Sequence, residues 1–217
     1  MRQAREPAHA FGECREGSNR LFTEGKILAV IGGQGEEIMN HTGKNNSLIL
    51  VRPTIQMKEQ ALDYREEHFK CGEMVINGSE LLDKTEDYEE WLDAVSRNAN
   101  PESVNENWVV TDTFFAVRRN DNRIIGIIDL RHTLNDFLKN FGNCGYSVRP
   151  SERKKGYATE MLRQLLEAAS EAGMSELHIS VERTNLPSVK VIKNNGGVYE
   201  RSFTYENEPA DIYKIIV

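Results

Sequence analysis

The chain has 217 residues, of which 39% are hydrophobic, and its 27 basic against 34 acidic side chains give a formal net charge of −7. This composition is typical of a soluble protein with one ordinary domain. The acidic balance argues against a general nucleic-acid binder, which needs a basic face. The sequence contains no run of about 18 apolar residues, which is the length needed to span a membrane. The first residues also lack the apolar stretch of a signal peptide. We therefore expect a cytoplasmic protein without a membrane or nucleic-acid partner.

The first part of the chain lacks a regular pattern. Residues 1–46 are rich in Gly, Asn, Glu and Arg, and only the run KILAVIGG resembles a strand. We interpret residues 1–46 as a poorly structured extension and residues 47–217 as the folded domain. The stretch Gly35-Glu36-Glu37, just before Met39, can be encoded by purine-rich codons like those of a bacterial ribosome-binding site. Our hypothesis is that a bacterial protein starts at Met39 and that residues 1–38 are translated leader.

Regular elements follow from residue 48. Apolar residues at helical spacing predict the helices, and short apolar runs bounded by Pro, Gly or Asn predict the strands. The strand, helix, strand succession around 143–181 predicts a parallel pair joined by a right-handed crossover. The predicted elements are strand 48–51, helices 56–70 and 86–97, strands 114–119, 124–130 and 143–149, helix 156–172, strand 177–181, helix 187–193, and strands 199–205 and 212–217.

The segment between Val148 and the helix at 156 carries the chemistry. Pro150 ends the strand because it has no N–H to donate. Gly156 lets a ligand approach the backbone, and the helix start offers unpaired N–H groups with a partial positive charge. These features predict a pyrophosphate site, although the Gly-Lys-Ser/Thr of a nucleoside-triphosphate P-loop is absent. Within this acidic chain the segment also forms a basic island, made of Arg149, Arg153, Lys154 and Lys155.

With these residues the chain resembles the GNAT superfamily of N-acetyltransferases. The family signature is Val-x-Pro followed by Arg/Gln-x-x-Gly-x-Gly/Ala, and here it reads Val148-Arg149-Pro150 and Arg153-Lys154-Lys155-Gly156-Tyr157-Ala158. A second family element, Asn-x-x-Ala/Ser at the start of the next helix, reads Asn185-Leu186-Pro187-Ser188. The resemblance covers roughly residues 48–217.

The resemblance implies an α+β fold, with a mixed, mostly antiparallel central sheet of six to seven strands, a parallel splayed pair and about four flanking helices. It also implies acetyl-CoA as cosubstrate and no metal. Pantetheine would lie between the splayed strands and the pyrophosphate on the amides of 153–158. Asn185 would bond the pantetheine arm. The alternative for Asn185 is a plain helix N-cap, and the alternative for Ser188 is packing or capping. The residues expected to bind the coenzyme are Val148, Arg153, Lys154, Lys155, Gly156, Tyr157, Ala158, Thr159, Asn185 and Ser188.

The sequence departs from the family pattern in its catalytic residues. Many members place a Tyr seven residues after the Asn as general acid, and that position is Ile192 here. Tyr146 is our first substitute for the acid, with a core or lining role as the alternative. Candidates for a base are Glu182, at the end of a splayed strand, and His132, which follows Arg131 at the end of a central strand. A solvated carboxylate and a structural histidine are the alternatives for these two.

The sequence allows two kinds of acceptor. Residues 59–106 carry 14 acidic and four basic side chains, which would suit a cationic amine, whereas Arg131 would suit a carboxylate or phosphate. We expect an enzyme, monomer or homodimer, that transfers acetyl directly to a primary amine of a small molecule or peptide. The alternative, which Ile192 keeps open, is an acetyl-CoA-binding sensor or interaction module without catalysis. An unrelated phosphate-binding domain is the third interpretation.

Overall fold

The computed structural model describes residues 48–205 and 207–217. The predicted N-terminal extension, its KILAVIGG strand and the alternative start at Met39 lie outside these residues. The strands and helices follow one another in the order that the sequence predicts. The strands are β1 (Leu48–Val51), β2 (Thr111–Arg118), β3 (Ile124–Arg131), β4 (Tyr146–Val148), β5 (Glu176–Glu182), β6 (Val198–Tyr205) and β7 (Glu208–Ile216), and the helices are α1 (Lys58–Lys70), α2 (Tyr88–Asn98), α3 (Tyr157–Glu171) and α4 (Leu186–Asn194).

Two antiparallel sheets form the framework, with strand orders β1-β2-β3-β4 and β5-β7-β6. Among the described residues no ladder joins β4 to β5, so the predicted central sheet is divided into two at this point. The link is a single antiparallel bridge between Gly142 and Ile179, beside which Asn143 N donates to His178 O at 2.6 Å. The parallel course of β4 and β5 stays a prediction.

Helix α3 covers one face of the first sheet. Its residues Met161, Leu162 and Leu165 are fully buried and belong to one core with Ile125 and Ile128 of β3. Burying one such side chain contributes about 1.5–3 kcal/mol. This packing fixes α3 against the sheet and so places the start of the helix, and the turn before it, next to the end of β4.

Helices α1 and α2 cover the opposite face with buried aromatic side chains. The rings of Trp91 and Phe115 lie 5.7 Å apart between centroids, and Tyr64 is also fully buried. The Tyr64 hydroxyl donates to Ser147 O at 3.1 Å, which attaches α1 directly to β4.

The loop between these helices, residues 71–87, lies on the start of β4. Gly78 has a φ of +75°, and a Cβ on it would lie 2.2 Å from Gly145 O, so no side chain fits there. Trp91 Nε1 donates to Ser79 O at 2.9 Å and holds the loop from the α2 side. The next residue, Glu80, adopts a φ of +47°, which is uncommon for a residue with a side chain. The α1–α2 loop is therefore held in one specific path against the sheet.

Candidate functional site

A cavity of about 480 Å³ opens between β4 and β5. The α1–α2 loop closes one side of it, and the β6–β7 hairpin supplies aromatic side chains on another. A cavity of this size, with a few polar groups among apolar ones, is suited to a small ligand or to the end of a larger one. Its lining includes Asn77, Gly78, Arg131, Phe141, Gly145, Tyr146, Glu182, Asn185, Ser188, Phe203, Tyr205 and Glu208.

Strand β4 has backbone groups on its edge that β3 does not use. Residues in an antiparallel pair alternate between those that exchange backbone hydrogen bonds and those that do not. Arg149 N donates to Ile125 O and Asp129 N to Gly145 O, so the odd-numbered residues of β4 bond to β3. The backbone groups of Tyr146 and Val148 therefore point away from β3. Tyr146 borders the cavity, whereas Val148 O accepts from Arg153 Nε at 3.1 Å.

The turn before α3 is open to an anion. Lys154 and Gly156 both have positive φ, +62° and +86°, and a Cβ on Gly156 would meet nothing within 4 Å. No side chain caps the N-terminus of α3. Its first N–H groups thus lack capping partners and carry the positive end of the helix dipole. These features fit the phosphates of a coenzyme.

Acidic residues balance most of the basic island, which the sequence did not predict. Arg149 is buried and donates to Asp63 and Glu67 of α1, at 2.8 and 2.7 Å. Burial raises the pKa of Glu67, but hydrogen bonds from Ser151 and Arg149 outweigh it and keep this pKa below its ordinary value. Arg149 is therefore a structural cation that joins α1 to the end of β4.

Two further members of the island are also paired. Arg153 Nη2 lies 2.6 Å from Glu73 Oε2 and its Nε donates to Val148 O at 3.1 Å. Lys155 Nζ lies 2.8 Å from Glu152 Oε2. Within the described residues only Lys154, of the four basic side chains, makes no ion pair. The binding of pyrophosphate by Arg153 and Lys155 stays a prediction, and it would require their side chains to exchange or share partners.

The first turn of α3 is anchored by its own contacts. Arg118 Nη1 donates to the Tyr157 hydroxyl at 3.4 Å, Ala158 packs against the core, and Asn195 Nδ2 donates to Thr159 O at 3.2 Å. What these three residues offer to a ligand is therefore mainly their backbone N–H groups.

Asn185 and Ser188 both line the cavity. Asn185 Oδ1 accepts from Ser188 N at 3.2 Å, so Asn185 is the N-cap of α4, as the alternative interpretation held. The cap uses only the oxygen of the amide. Asn185 Nδ2 makes no hydrogen bond within the described residues and is left as a donor for a ligand.

Two of the three predicted catalytic residues, Tyr146 and Glu182, line the cavity. The Tyr146 hydroxyl lies 3.5 Å from Ser188 O, and burial raises the pKa of this phenol above its ordinary value. Tyr146 is therefore protonated at neutral pH and can donate a proton. Glu182 is an exposed carboxylate at the end of β5.

His132 is not brought to the cavity. Its Nε2 lies 2.9 Å from Asp112 Oδ2, and Asp112 also pairs with Arg52 at 2.6 Å. Asp112 pairs with Leu130 across the β2–β3 ladder, and the Leu130 side chain is buried in the core under α3. Arg131, the next residue of β3, lines the cavity. Because successive residues of a strand point to opposite faces, His132 follows Arg131 in sequence but lies on the other face.

The position of the usual family acid is closed. Ile192 is fully buried in the core, and a Cβ on Gly197 would lie 2.4 Å from its Cγ2. A tyrosine would not fit there without displacing the turn after α4. Any acid must come from another element.

One group of ionisable residues beside the cavity escaped the sequence interpretation. Asp129 is fully buried in β3 and accepts hydrogen bonds from Arg131 Nη2 and Gly145 N. Glu80 of the α1–α2 loop accepts a hydrogen bond from Asn98 Nδ2 at 3.2 Å, and burial together with the charge of Asp129 raises its pKa to about 7. The available signal was the aspartate inside the apolar run IIGIIDLR, since a buried carboxyl needs partners.

Comparison with known proteins identifies the family. Residues 54–198, more than half of the chain, match the sequence profile described as "Acetyltransferase (GNAT) domain". The chain belongs to the GNAT acetyltransferase family. It is therefore an enzyme of the N-acetyltransferase type, as its motifs predict. No curated protein sequence matches it significantly.

Solved structures show the same fold at low sequence identity. A spermidine N-acetyltransferase from Vibrio cholerae, in complex with CoA and spermine, is 14% identical over 79% of this chain and 96% of its own, with a TM-score of 0.56. A microcin self-immunity acetyltransferase in complex with acetyl-CoA and AMP is 14% identical over 80% and 94%, with a TM-score of 0.59. A GNAT-family acetyltransferase from Bordetella pertussis is also 14% identical, over 79% and 97%, with a TM-score of 0.58.

Two features are absent from the described residues. No helix there is both long and apolar enough to cross a membrane. No group of three or more His, Cys, Asp or Glu side chains in that part of the chain could hold a metal ion.

Proposed function

We propose that this enzyme transfers an acetyl group from acetyl-CoA to a primary amine of a cationic acceptor, by direct attack in a ternary complex. The observation that carries the proposal is the cavity between β4 and β5, bordered by the Tyr146 backbone that β3 does not use, on the sheet edge that leads to the open turn before α3. Solved relatives hold acetyl-CoA or CoA, which supports the choice of coenzyme.

The coenzyme would bind mainly through backbone groups. Its pyrophosphate would accept from the first N–H groups of α3, with Lys154 as the nearby unpaired cation and Gly156 leaving the space open. Its pantetheine arm would pair with the N–H of Val148 on the outer edge of β4, as an added strand does, and with Asn185 Nδ2, while Val148 O keeps its bond from Arg153 Nε. Ser188, Arg153 and Lys155 would act at the borders of this site.

The charge of the cavity supports a cationic acceptor. Glu182 and Glu208 line it and make no ion pair within the described residues, and Phe203 and Tyr205 add aromatic faces that attract cations. Arg131 already donates to Asp129 and to Gly142 O, so it is not a free partner for an acceptor carboxylate. One solved relative is a spermidine N-acetyltransferase, and spermidine is a cationic amine.

The chemistry would need few groups. Holding the amine and the thioester together supplies much of the acceleration. The N–H of Tyr146, on the free edge of β4, would stabilise the negative charge that develops on the carbonyl oxygen. The Tyr146 hydroxyl, protonated at neutral pH, would give its proton to the departing sulfur.

The second candidate is an acetyl-CoA sensor without catalysis, and the closed position of Ile192 is the observation that favours it. Calorimetric titration with acetyl-CoA, combined with a thiol-release assay on spermidine, cadaverine, benzylamine and glycine, separates the two. The enzyme proposal expects turnover of the cationic amines in preference to the zwitterion glycine. Tight binding of acetyl-CoA without turnover of any amine would leave the sensor as the better account.

A further inference from the structure

One ion pair lies on the edge of β4 along which the coenzyme is expected to bind. Val148 is the last residue of β4, and its backbone groups point away from β3. Arg153 Nε donates to Val148 O at 3.1 Å, so the Arg153 guanidinium lies on this outer edge. The Glu73 carboxylate meets the other end of the same guanidinium, with Nη2 2.6 Å from Oε2. A cation and its internal anion therefore stand together at the end of β4, beside the turn that leads into α3.

This pair differs from the other ion pairs of the basic island because a ligand can reach both of its partners. The side chains of Arg153 and Glu73 are 39% and 30% exposed. Arg149, in contrast, is only 1% exposed, and Glu152, the partner of Lys155, is 5% exposed. Opening either of those pairs would leave a buried charge without its partner, which is costly. The Arg153–Glu73 pair can exchange a partner without that cost.

A carboxylate and a phosphate compete for the same face of a guanidinium. Arginine donates two parallel N–H bonds to either group, since its planar fork fits both in the same geometry. Burial raises the pKa of Glu73, but hydrogen bonds from His68 and Arg153 outweigh it and lower the value to about 2, so Glu73 is an anion at neutral pH. Glu73 thus already offers Arg153 the two-pronged contact that a pyrophosphate would supply.

Both partners stay anchored if the pair opens. Glu73 N donates to His68 O at 3.0 Å, and Glu73 Oε2 lies 2.8 Å from Nδ1 of the buried His68. The bond from Arg153 Nε to Val148 O holds the guanidinium at the edge of β4. A movement of the Glu73 side chain alone would therefore release the Nη atoms of Arg153, while the backbones of both residues stay in place.

We propose that Glu73 competes with the coenzyme pyrophosphate for the Nη atoms of Arg153, so that this ion pair opens when acetyl-CoA binds and closes again as coenzyme A leaves. This inference rests on the proposed function, because it needs the pyrophosphate at the turn before α3. The guanidinium stays paired throughout, and no covalent bond changes. The competition lowers the affinity for both forms of the coenzyme and so favours release of the product thiol, a step that limits turnover in many enzymes.

The test compares affinities, measured by calorimetric titration and by competition. Glu73→Gln should bind acetyl-CoA and coenzyme A about five- to tenfold more tightly than the wild type, because Arg153 is then available to the pyrophosphate. Inorganic pyrophosphate, as a competitor of acetyl-CoA, should gain by a similar factor. Pantetheine, which has no phosphate, should stay within about twofold of its wild-type affinity.

Glu66→Gln is the matched control for a general effect of charge. It removes the same charge from α1, where Glu66 pairs with Lys70 at 3.5 Å, and it should bind acetyl-CoA as the wild type does. A gain in Glu66→Gln equal to that in Glu73→Gln would overturn the inference.

A double-mutant cycle tests whether Glu73 acts through Arg153. Arg153→Gln and the Glu73→Gln/Arg153→Gln double variant should bind acetyl-CoA with equal affinity, and both more weakly than Glu73→Gln. If the double variant kept the full gain of Glu73→Gln, Arg153 would have no part in the effect and the inference would fail.

The remaining outcomes separate this inference from the proposed function. Unchanged or weaker binding of acetyl-CoA by Glu73→Gln would overturn the competition while leaving the proposed function intact. Failure of the wild type to bind acetyl-CoA would remove the proposed function, and the inference with it. If Glu73→Gln does not fold, carboxyl-carbon NMR of the wild type decides: coenzyme A should shift the Glu73 signal and pantetheine should not. A Glu73 signal that coenzyme A leaves in place, or that pantetheine shifts equally, would contradict the exchange.

Discussion

Arg153 and Glu73 form a two-pronged ion pair beside the turn that leads into α3. Arg153 Nη2 lies 2.6 Å from Glu73 Oε2, and Nη1 bonds to Oε1. The same guanidinium donates from Nε to Val148 O at 3.1 Å. The positive charge of Arg153, which was expected to meet the pyrophosphate, is thus already balanced by Glu73. The backbone N–H groups of α3, and the space that Gly156 leaves, become the main attractions for the coenzyme.

Gly156→Val should abolish the binding of acetyl-CoA while the fold survives. The added side chain would enter open space, since a Cβ there meets nothing within 4 Å, and this is the space the phosphates need. Gly173→Val is the matched control because Gly173 also has a positive φ, +77°, and open surroundings, at the other end of the 15-residue helix. Both variants bear a similar backbone cost of about 1–2 kcal/mol. Calorimetric titration should show loss of affinity only in Gly156→Val, and equal affinities in the two would contradict the site.

The ion pair of Glu73 predicts a specific acid sensitivity. Burial raises the pKa of Glu73, but hydrogen bonds from His68 and Arg153 outweigh it and lower the value to about 2. A carboxyl with a lowered pKa stabilises the fold above its unfolded value of about 4.3, and this contribution disappears as the pH falls through the folded value. The free energy of unfolding of the wild type should therefore exceed that of Glu73→Gln at neutral pH. The difference should shrink between about pH 4.5 and about pH 2, as followed by urea unfolding. A constant difference across that range would contradict this account of the pair.

Glu80 predicts the opposite dependence. Its pKa is raised to about 7, chiefly by burial and by Asp129. A carboxyl with a raised pKa favours folding fully below its unfolded value of about 4.3, and this contribution is lost as the pH rises through the folded value. Wild-type thermal stability should fall between about pH 5 and about pH 8. Glu80→Gln should flatten that part of the profile and be relatively more stable at the alkaline end. Glu86→Gln, which changes an exposed carboxylate of the same loop, is the control and should keep the wild-type slope. An identical slope in Glu80→Gln would refute the assignment.

Tyr146→Phe tests the proposed acid. Removing the hydroxyl should lower kcat by about tenfold or more, because the sulfur loses its proton donor. The affinity for acetyl-CoA should stay within about twofold, since the ring and the backbone N–H remain. Tyr199→Phe is the control, because Tyr199 is exposed and its hydroxyl bonds to Ser202 at 2.8 Å. A normal kcat in Tyr146→Phe would return the tyrosine to its alternative role as a lining residue.

The elements around the turn before α3 could be predicted from the sequence, because they depend on local features, whereas the coenzyme contacts of that turn stay a prediction. The apolar repeat of Met161, Leu162 and Leu165 determines the buried face of α3, and the positive φ of Gly156 is a property that glycine adopts readily. The order of strands and helices followed from the same local patterns. The family motif at Val148 to Ala158 indicated acetyl-CoA as the coenzyme.

The acceptor side could not be predicted in this way, because it depends on pairs distant in sequence. Arg149 is neutralised by Glu67, which is 82 positions earlier, so a local count of basic residues overstated the positive charge of the turn. Gly78 and Gly145, which are distant in sequence, pack against each other with no room for a side chain and so bring the α1–α2 loop to the cavity. The prediction of His132 as a base failed for another reason. Arg131 and His132 are adjacent in sequence but lie on opposite faces of the sheet, so only Arg131 reaches the cavity.

Acetyl transfer to an amine in the cavity between β4 and β5 can be tested directly. The most direct measurement incubates the purified protein with acetyl-CoA and spermidine, then follows coenzyme A release together with mass spectrometry of the amine. The account predicts N-acetylated spermidine in equal amount to the released thiol, with no product from Gly156→Val. Saturable binding of acetyl-CoA with no acetylated product, from spermidine or from any other amine of the panel, would contradict it.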